Sequence, residues 1–385
     1  MVLAVLLAAA VAPAPPPGLT AELAARFAAV EWTPARVETL ARRMPKVETH
    51  VHLDGALSPE TLLDLARAQG YAPLAGLPLE EVRRRTVVAE PRESLAGVLA
   101  AFEAFYPLLR DAAAMERAAY ELAASAGRQN TRYLEVRFAP ALQAAPGLEP
   151  ARVLDAVLAG LERGRRDFGV ASAVIVCLIR PPAFIPLETN AAMVDLALSR
   201  KGAGVVAIDL AGDEAAEPLS TYAPLLARAK AGGLGLTVHA GEVPGSGDLE
   251  TALALGVDRL GHATLLAKRP DLLAEVVRRG IPIEVNLTSN LRTGALAAAK
   301  DHPVRDWYRA GVRIAISTDD PGVFAIALPG EYLLLHRDLG FTPAELAGVA
   351  LEGVDSLFLP EAERQKTRRE FETELARLLE ELARN

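Results

Sequence analysis

Cysteine is nearly absent: Cys177 is the single one in 385 residues. That excludes a disulfide framework, CxxC redox chemistry and zinc sites built on thiolates. Any metal must be held by His, Asp and Glu. Basic charge is also short, with 41 Lys and Arg against 49 Asp and Glu, a net −8. Such a balance argues against a dedicated nucleic-acid binder, which carries a basic surface. No stretch is apolar for long enough to span a bilayer as a helix. Disorder is excluded too, because 51% of residues are hydrophobic and only 23% charged.

Residues 1–18, MVLAVLLAAAVAPAPPPG, carry no charge. The segment is read as signal-like, with Ala10-Val11-Ala12 as a cleavage candidate, or as a flexible Ala/Pro-rich tail. No Lys or Arg precedes the apolar run, and Pro13 would follow the cut. Export is slightly favoured over a cytoplasmic location. Residues 45–385 contain no repeat or low-complexity linker, and residues 19–385 are expected to form one domain.

The remainder alternates between short runs rich in Val, Ile and Leu and amphipathic helical stretches. The expected strands are Lys46–Val51, Tyr133–Phe138, Ala173–Ile179, Val205–Leu210, Leu234–His239, Arg259–Gly261, Ile281–Val285 and Arg313–Ser317. Helical stretches such as Pro150–Arg166, Leu249–Leu255 and Pro270–Arg279 lie between them, with Gly and Pro at the boundaries. Eight strands with intervening helices predict an α/β chain folded as a (β/α)8 barrel; a doubly wound sheet is the rival. The long connection after Leu53 is expected to hold extra helices over Pro59–Gln69, Ser94–Leu109 and Ala112–Arg128. An amphipathic helix over Glu361–Asn385 is expected on the barrel's outside.

Six histidines occur in the chain, and four fall at predicted strand ends. His50 and His52 close the first strand as His-x-His, a spacing that puts both imidazoles on one face. His239 ends the fifth strand, His262 the sixth, Asp209 the fourth, and Asp319 and Asp320 the eighth. In a barrel these ends meet at one mouth, where active sites are built. Histidines and a carboxylate converging there suit zinc with a position left for water. The bland alternative is several buried ionisable groups with no function, which is costly because unpaired buried charge is unfavourable. His302 and His336 fall outside strand ends and are read as surface or packing residues.

These strings together resemble the adenosine deaminase family of the metal-dependent amidohydrolases. The matching segments are Thr49-His50-Val51-His52-Leu53-Asp54-Gly55, Asp209-Leu210-Ala211-Gly212-Asp213-Glu214, His239-Ala240-Gly241-Glu242, Gly261-His262-Ala263 and Ser317-Thr318-Asp319-Asp320-Pro321. They span residues 45 to about 325 in the family's order. Glu284-Val285-Asn286-Leu287-Thr288-Ser289-Asn290 departs from the Cys-Pro-containing string common after the seventh strand. None of its residues is among the expected ligands.

The resemblance implies one Zn2+ per chain, held by His50, His52, His239 and Asp319. A water activated by the metal would attack C6 of the purine. His262 would orient that water, accept its proton or stabilise developing charge. Glu242 would protonate N1, which requires a raised pKa. Asp320 would contact N7, the Gly212 N–H would contact N3, and Asp54 would contact the ribose 5′-hydroxyl. The product would be the 6-oxo purine nucleoside, plus ammonia. Structural alternatives are a dipole-stabilised helix start for Glu242, a turn cap for Asp54 and turn geometry for Gly212. Asp209 and Asp213 are read as structural. The expected partner is a small-molecule purine nucleoside, with neither nucleic acid nor stable membrane insertion; oligomeric state is left open.

Three other functions compete. One is the same chemistry on adenine, an N6-substituted AMP or aminodeoxyfutalosine. Relatives acting on adenine or the futalosine compound often carry Glu where this chain has Asp54, which favours a nucleoside. A second is a binuclear amidohydrolase, which needs a bridging ligand such as a carboxylated Lys after the fourth strand; that end here reads Ile208-Asp209-Leu210-Ala211-Gly212. A third is a non-catalytic, receptor-binding relative, which intact ligands and Glu242 oppose. A cytidine-type deaminase is excluded, because its zinc site needs at least two cysteines.

Overall fold

The computed structural model describes residues 15–92, 95–181, 183 and 185–384. Most of the signal-like segment, residues 1–14, lies outside the described residues. Its end is packed on the fold: the Gly18 carbonyl accepts a hydrogen bond from Arg368, and Leu19 is buried.

The chain is α/β. Its strands are β1 (Lys46–His52), β2 (Thr131–Phe138), β3 (Ala171–Ile179), β4 (Val205–Ala211), β5 (Gly235–Leu236), β6 (His239–Ala240), β7 (Leu260–His262), β8 (Ile283–Val285) and β9 (Ile314–Ile316). All neighbouring pairs are parallel, in the orders β1-β2-β3-β4-β5 and β6-β7-β8-β9. Backbone bonds join the two sheets at both seams. At one, Thr237 N–H donates to the Ile208 carbonyl and Gly261 N–H to the Val238 carbonyl. At the other, residue 319 is bridged to Val51. The arrangement is that of a (β/α)8 fold, with the strands covered by helices.

The expected fifth strand, Leu234–His239, is divided into β5 and β6 around Thr237 and Val238. These two residues still bond to β4 and β7, so the eight-strand pattern survives. The helices begin and end where local chemistry dictates. Pro59–Gln69 starts with Ser58 accepting from Thr61 N–H and with proline in its first turn, and it ends at Gly70 with φ 65°. Pro150–Phe168 and Pro270–Arg279 stop the same way, at Gly169 and Gly280.

The long connection between β1 and β2 holds several helices. The single helix expected over Ser94–Leu109 is instead a helix at Leu95–Glu103 and a 3-10 turn at Tyr106–Leu109. Pro107 explains the break, since it supplies no N–H and disfavours helical backbone just before it. The terminal helix, Glu361–Arg384, buries Phe371, Leu375, Leu378, Leu379 and Leu382 on one stripe. Among the described residues no helix is long and apolar enough to cross a membrane.

Candidate active site

At the C-terminal mouth of the strands the alternation of β1 sends His50 and His52 toward the end of β9. Asp319 sits there in left-handed backbone, φ 67°, a conformation costing about 1–3 kcal/mol for a non-glycine residue. Two backbone bonds hold it: its N–H donates to the His50 carbonyl, 3.1 Å, and its carbonyl accepts from His52 N–H, 2.7 Å. Asp319 Oδ1 then lies 3.1 Å from His50 Nε2 and 3.3 Å from His52 Nε2. His52 Nε2 faces His239 Nε2 at 3.2 Å. One ligand atom from each of His50, His239, His262 and Asp319 falls within 4.8 Å of all the others. The structure thus brings together all five residues expected around the metal, His262 as well as His52.

The proton positions on two rings follow from their outer partners. His50 Nδ1 is 2.7 Å from Glu284 Oε2, and His239 Nδ1 is 3.0 Å from Asp209 Oδ2. Burial raises both acids, but Arg137 and Arg259 outweigh it at Glu284, and His239 and Arg137 do so at Asp209, holding both well below the usual carboxylate range. Both are therefore acceptors, and both rings carry hydrogen on Nδ1. Their Nε2 lone pairs point at one spot. His50 Nε2 is buried with no hydrogen-bond partner. This donor set fits a divalent cation.

Arg137 links the two supporting acids, 3.0 Å from Asp209 and 2.8 Å from Glu284, with all three fully buried. Arg259 bonds Glu284 at 2.6 Å, and also Glu135. Asp209, read from sequence as structural, and Glu284 thus orient metal-site histidines. Their signal was a charged residue inside an apolar strand.

The mouth opens into a cleft of about 520 Å³ lined by His52, Asp54, Gly212, Glu242, His262 and Asp320, among others, in the range of small-molecule sites. Glu242 is 10% exposed. Burial pushes its carboxyl up to about 7, with Asp319 adding to the rise against His239. Asp320 is raised further, by burial and then by the charges of Asp319 and Asp54; its Oδ1 has no hydrogen-bond partner. Gly55 lets it sit so close, since a Cβ there would meet Asp320 Oδ1 at 1.8 Å. Asp54 Oδ2 accepts from the Tyr106 hydroxyl at 2.6 Å; its Oδ1 is buried and unpartnered. The cap of the following helix is Ser58, not Asp54. Gly212 has φ 109°, and a Cβ there would meet the Arg180 carbonyl at 2.6 Å, so turn geometry requires the glycine whatever else it does.

The segment after β8 contributes more than its departure from the family string implied. The Ser289 hydroxyl donates to Asp319 Oδ2, 2.7 Å. Asn290 Nδ2 lies 3.0 Å from His262 Nδ1, and His302 Nε2 lies 3.2 Å from Asn290 Oδ1. His302 is buried and packs beside this site. His336 is a packing residue, bonded through Nδ1 to the Phe341 carbonyl.

A family profile described as Adenosine deaminase matches residues 45–374. An adenosine deaminase from Lacticaseibacillus paracasei is 33% identical over 335 residues, 87% of this chain and 97% of that protein. Among solved structures, an amidohydrolase from Burkholderia ambifaria with bound zinc superposes with TM-score 0.81 at 27% identity, covering 96% of this chain and 98% of its own. The N6-methyl-AMP deaminase of Arabidopsis gives TM-score 0.76 at 28% identity, covering 86% of this chain and 99% of its own.

Proposed function

Because this chain belongs to the adenosine deaminase family, we propose that it hydrolyses adenosine and 2′-deoxyadenosine to inosine and 2′-deoxyinosine, releasing ammonia. A single zinc would be held by His50, His52, His239 and Asp319, and when bound it supplies a water of near-neutral pKa at the floor of the cleft. One observation carries the reading: a carboxyl raised to about 7, Glu242, shares a cleft with converging imidazole lone pairs.

Attack at C6 pushes electrons onto N1, so the ring needs a proton there. Glu242 in its acid form gives that proton, and a donor that titrates near neutrality suits the task. Asp320 presents its acid hydrogen to N7, an acceptor, consistent with the pKa that burial and Asp319 impose. The Gly212 N–H meets N3. Asp54 Oδ1 takes the hydrogen of the 5′-hydroxyl. His262 faces the incoming oxygen; of the two protons that oxygen sheds, one goes to the 6-amino group, which leaves as ammonia as the C6–N6 bond breaks, and the other returns Glu242 to its acid form. One metal is favoured because Asp209, at the end of β4 where binuclear relatives carry a bridging ligand, is bonded to Arg137 and His239.

Glu242→Gln tests the assignment. The amide keeps the shape and can donate a hydrogen bond but cannot transfer a proton. Metal content should stay at wild type while kcat falls by about 10²–10⁴, with little change in KM. His239→Ala should lose metal and activity together. Near-normal kcat in Glu242→Gln on every aminopurine tested would refute the proton-donor role.

A further inference from the structure

No step above uses Asn290 or His302, yet they form a hydrogen-bonded chain that ends on His262. The chain can be read from its far end. The backbone N–H of Val304 donates to His302 Nδ1 at 3.1 Å. A nitrogen that accepts carries no hydrogen, so His302 has its hydrogen on Nε2. That Nε2–H, 3.2 Å from Asn290, needs an oxygen to receive it. Asn290 must therefore present Oδ1 to His302 and its NH2 to His262 Nδ1, 3.0 Å away. The amide nitrogen of Asn286 lies 3.5 Å from the same Nδ1. A nitrogen receiving amide donors is a lone pair, which leaves the hydrogen of neutral His262 on Nε2, the edge facing Asp319 Oδ2 at 3.8 Å.

We propose that Asn290 and His302 are positioning residues that hold His262 in the Nε2–H tautomer, so that it meets the reacting oxygen as a hydrogen-bond donor and not as its base. This rests on the deaminase reading above, and of the three roles the sequence left open for His262 it excludes that of proton acceptor. The surroundings agree. Burial and the neighbouring His262 hold His302 down to about 3, so it stays neutral with a lone pair on Nδ1. Trp307 packs edge-on against its ring, centroids 5.8 Å apart. Glu242 Oε1, 3.6 Å from His262 Nδ1, faces that lone pair without repulsion when it is in the acid form that proton donation requires.

The test is imidazole 15N NMR of zinc-loaded protein labelled at histidine nitrogens, with His262 assigned by loss of its signals in His262→Gln. Wild type should show a protonated Nε2 and an unprotonated Nδ1. Asn290→Asp puts an acceptor against Nδ1 and should move the hydrogen there, with kcat lower by about 10²–10⁴ and KM little changed, the scale seen when a catalytic histidine is held in the wrong tautomer. His302→Leu should let the Asn290 amide turn and should mix the tautomers. His302→Gln can donate to Asn290 and should restore the wild-type spectrum. A wild-type His262 with hydrogen on Nδ1, or an unchanged Nε2–H in both Asn290→Asp and His302→Leu, would overturn the proposal. The spectra do not depend on turnover, so a failure of the deaminase assignment would appear separately, as absent activity with the tautomer intact.

Discussion

At Asp54 the two carboxylate oxygens have separate tasks: Oδ2 is taken by Tyr106, while Oδ1 is buried and free for a ligand hydroxyl. Asp54→Ala should therefore weaken nucleoside turnover far more than adenine turnover, since free adenine has no 5′-hydroxyl. A hydrogen bond to a charged group contributes about 1.5–3 kcal/mol, so kcat/KM for adenosine should drop roughly tenfold to a hundredfold. Equal losses on both substrates would make Asp54 a structural residue only. The residues proposed to touch metal or purine were legible because their chemistry demands particular types at strand ends. Asn290 and His302 were not. They act through partners distant in sequence, and nothing in their own segment's periodicity points toward His262.

Among the elements, the helix Pro343–Asp355 packs beneath β9 and β1 and carries a buried acid, Glu352, whose carboxylate accepts from Ile314 N–H at 3.1 Å. Burial raises its pKa to about 7, with Asp355 adding to the rise against the Ile314 bond and Arg313. In the unfolded chain it titrates near 4.3. The folded protein thus binds the extra proton between those values, and the stability Glu352 contributes is present in full below about 4.3 and is lost as pH rises through about 7. Glu352→Gln can keep the acceptor for Ile314 but does not titrate. Its melting temperature relative to wild type should climb between about pH 4.5 and 7 and then level off; a difference independent of pH would show that folding leaves the pKa of Glu352 unchanged. Helix boundaries were legible because proline, serine and glycine mark them locally. Strand ends in the second half were less so: β7, β8 and β9 are three residues each, and tertiary hydrogen bonding decides where such short ladders stop.

For the whole molecule, the balance of charge at the barrel's heart bears on metal content. Arg137 and Arg259 pair with Asp209, Glu284 and Glu135, the fourth acid, Asp319, lies against the His50 and His52 rings, and Arg137 reaches the ligands only through their supporting acids. With all four acids ionised this buried group carries 2 − 4 = −2, and a divalent cation cancels it. Unpaired buried charge is destabilising, so a chelator should lower the melting temperature, and zinc at about 1,000 times its dissociation constant should contribute about 4 kcal/mol. The measurement that bears most directly on the whole account is a zinc titration of metal-free protein. Ammonia release would be followed on adenosine, 2′-deoxyadenosine, adenine, AMP, N6-methyl-AMP and aminodeoxyfutalosine. The account predicts that adenosine and 2′-deoxyadenosine are the best substrates, and that inosine and ammonia form in equal amounts at a rate reaching its plateau at one zinc per chain. Turnover of another aminopurine with adenosine untouched, or a plateau that requires a second equivalent of metal, would contradict it.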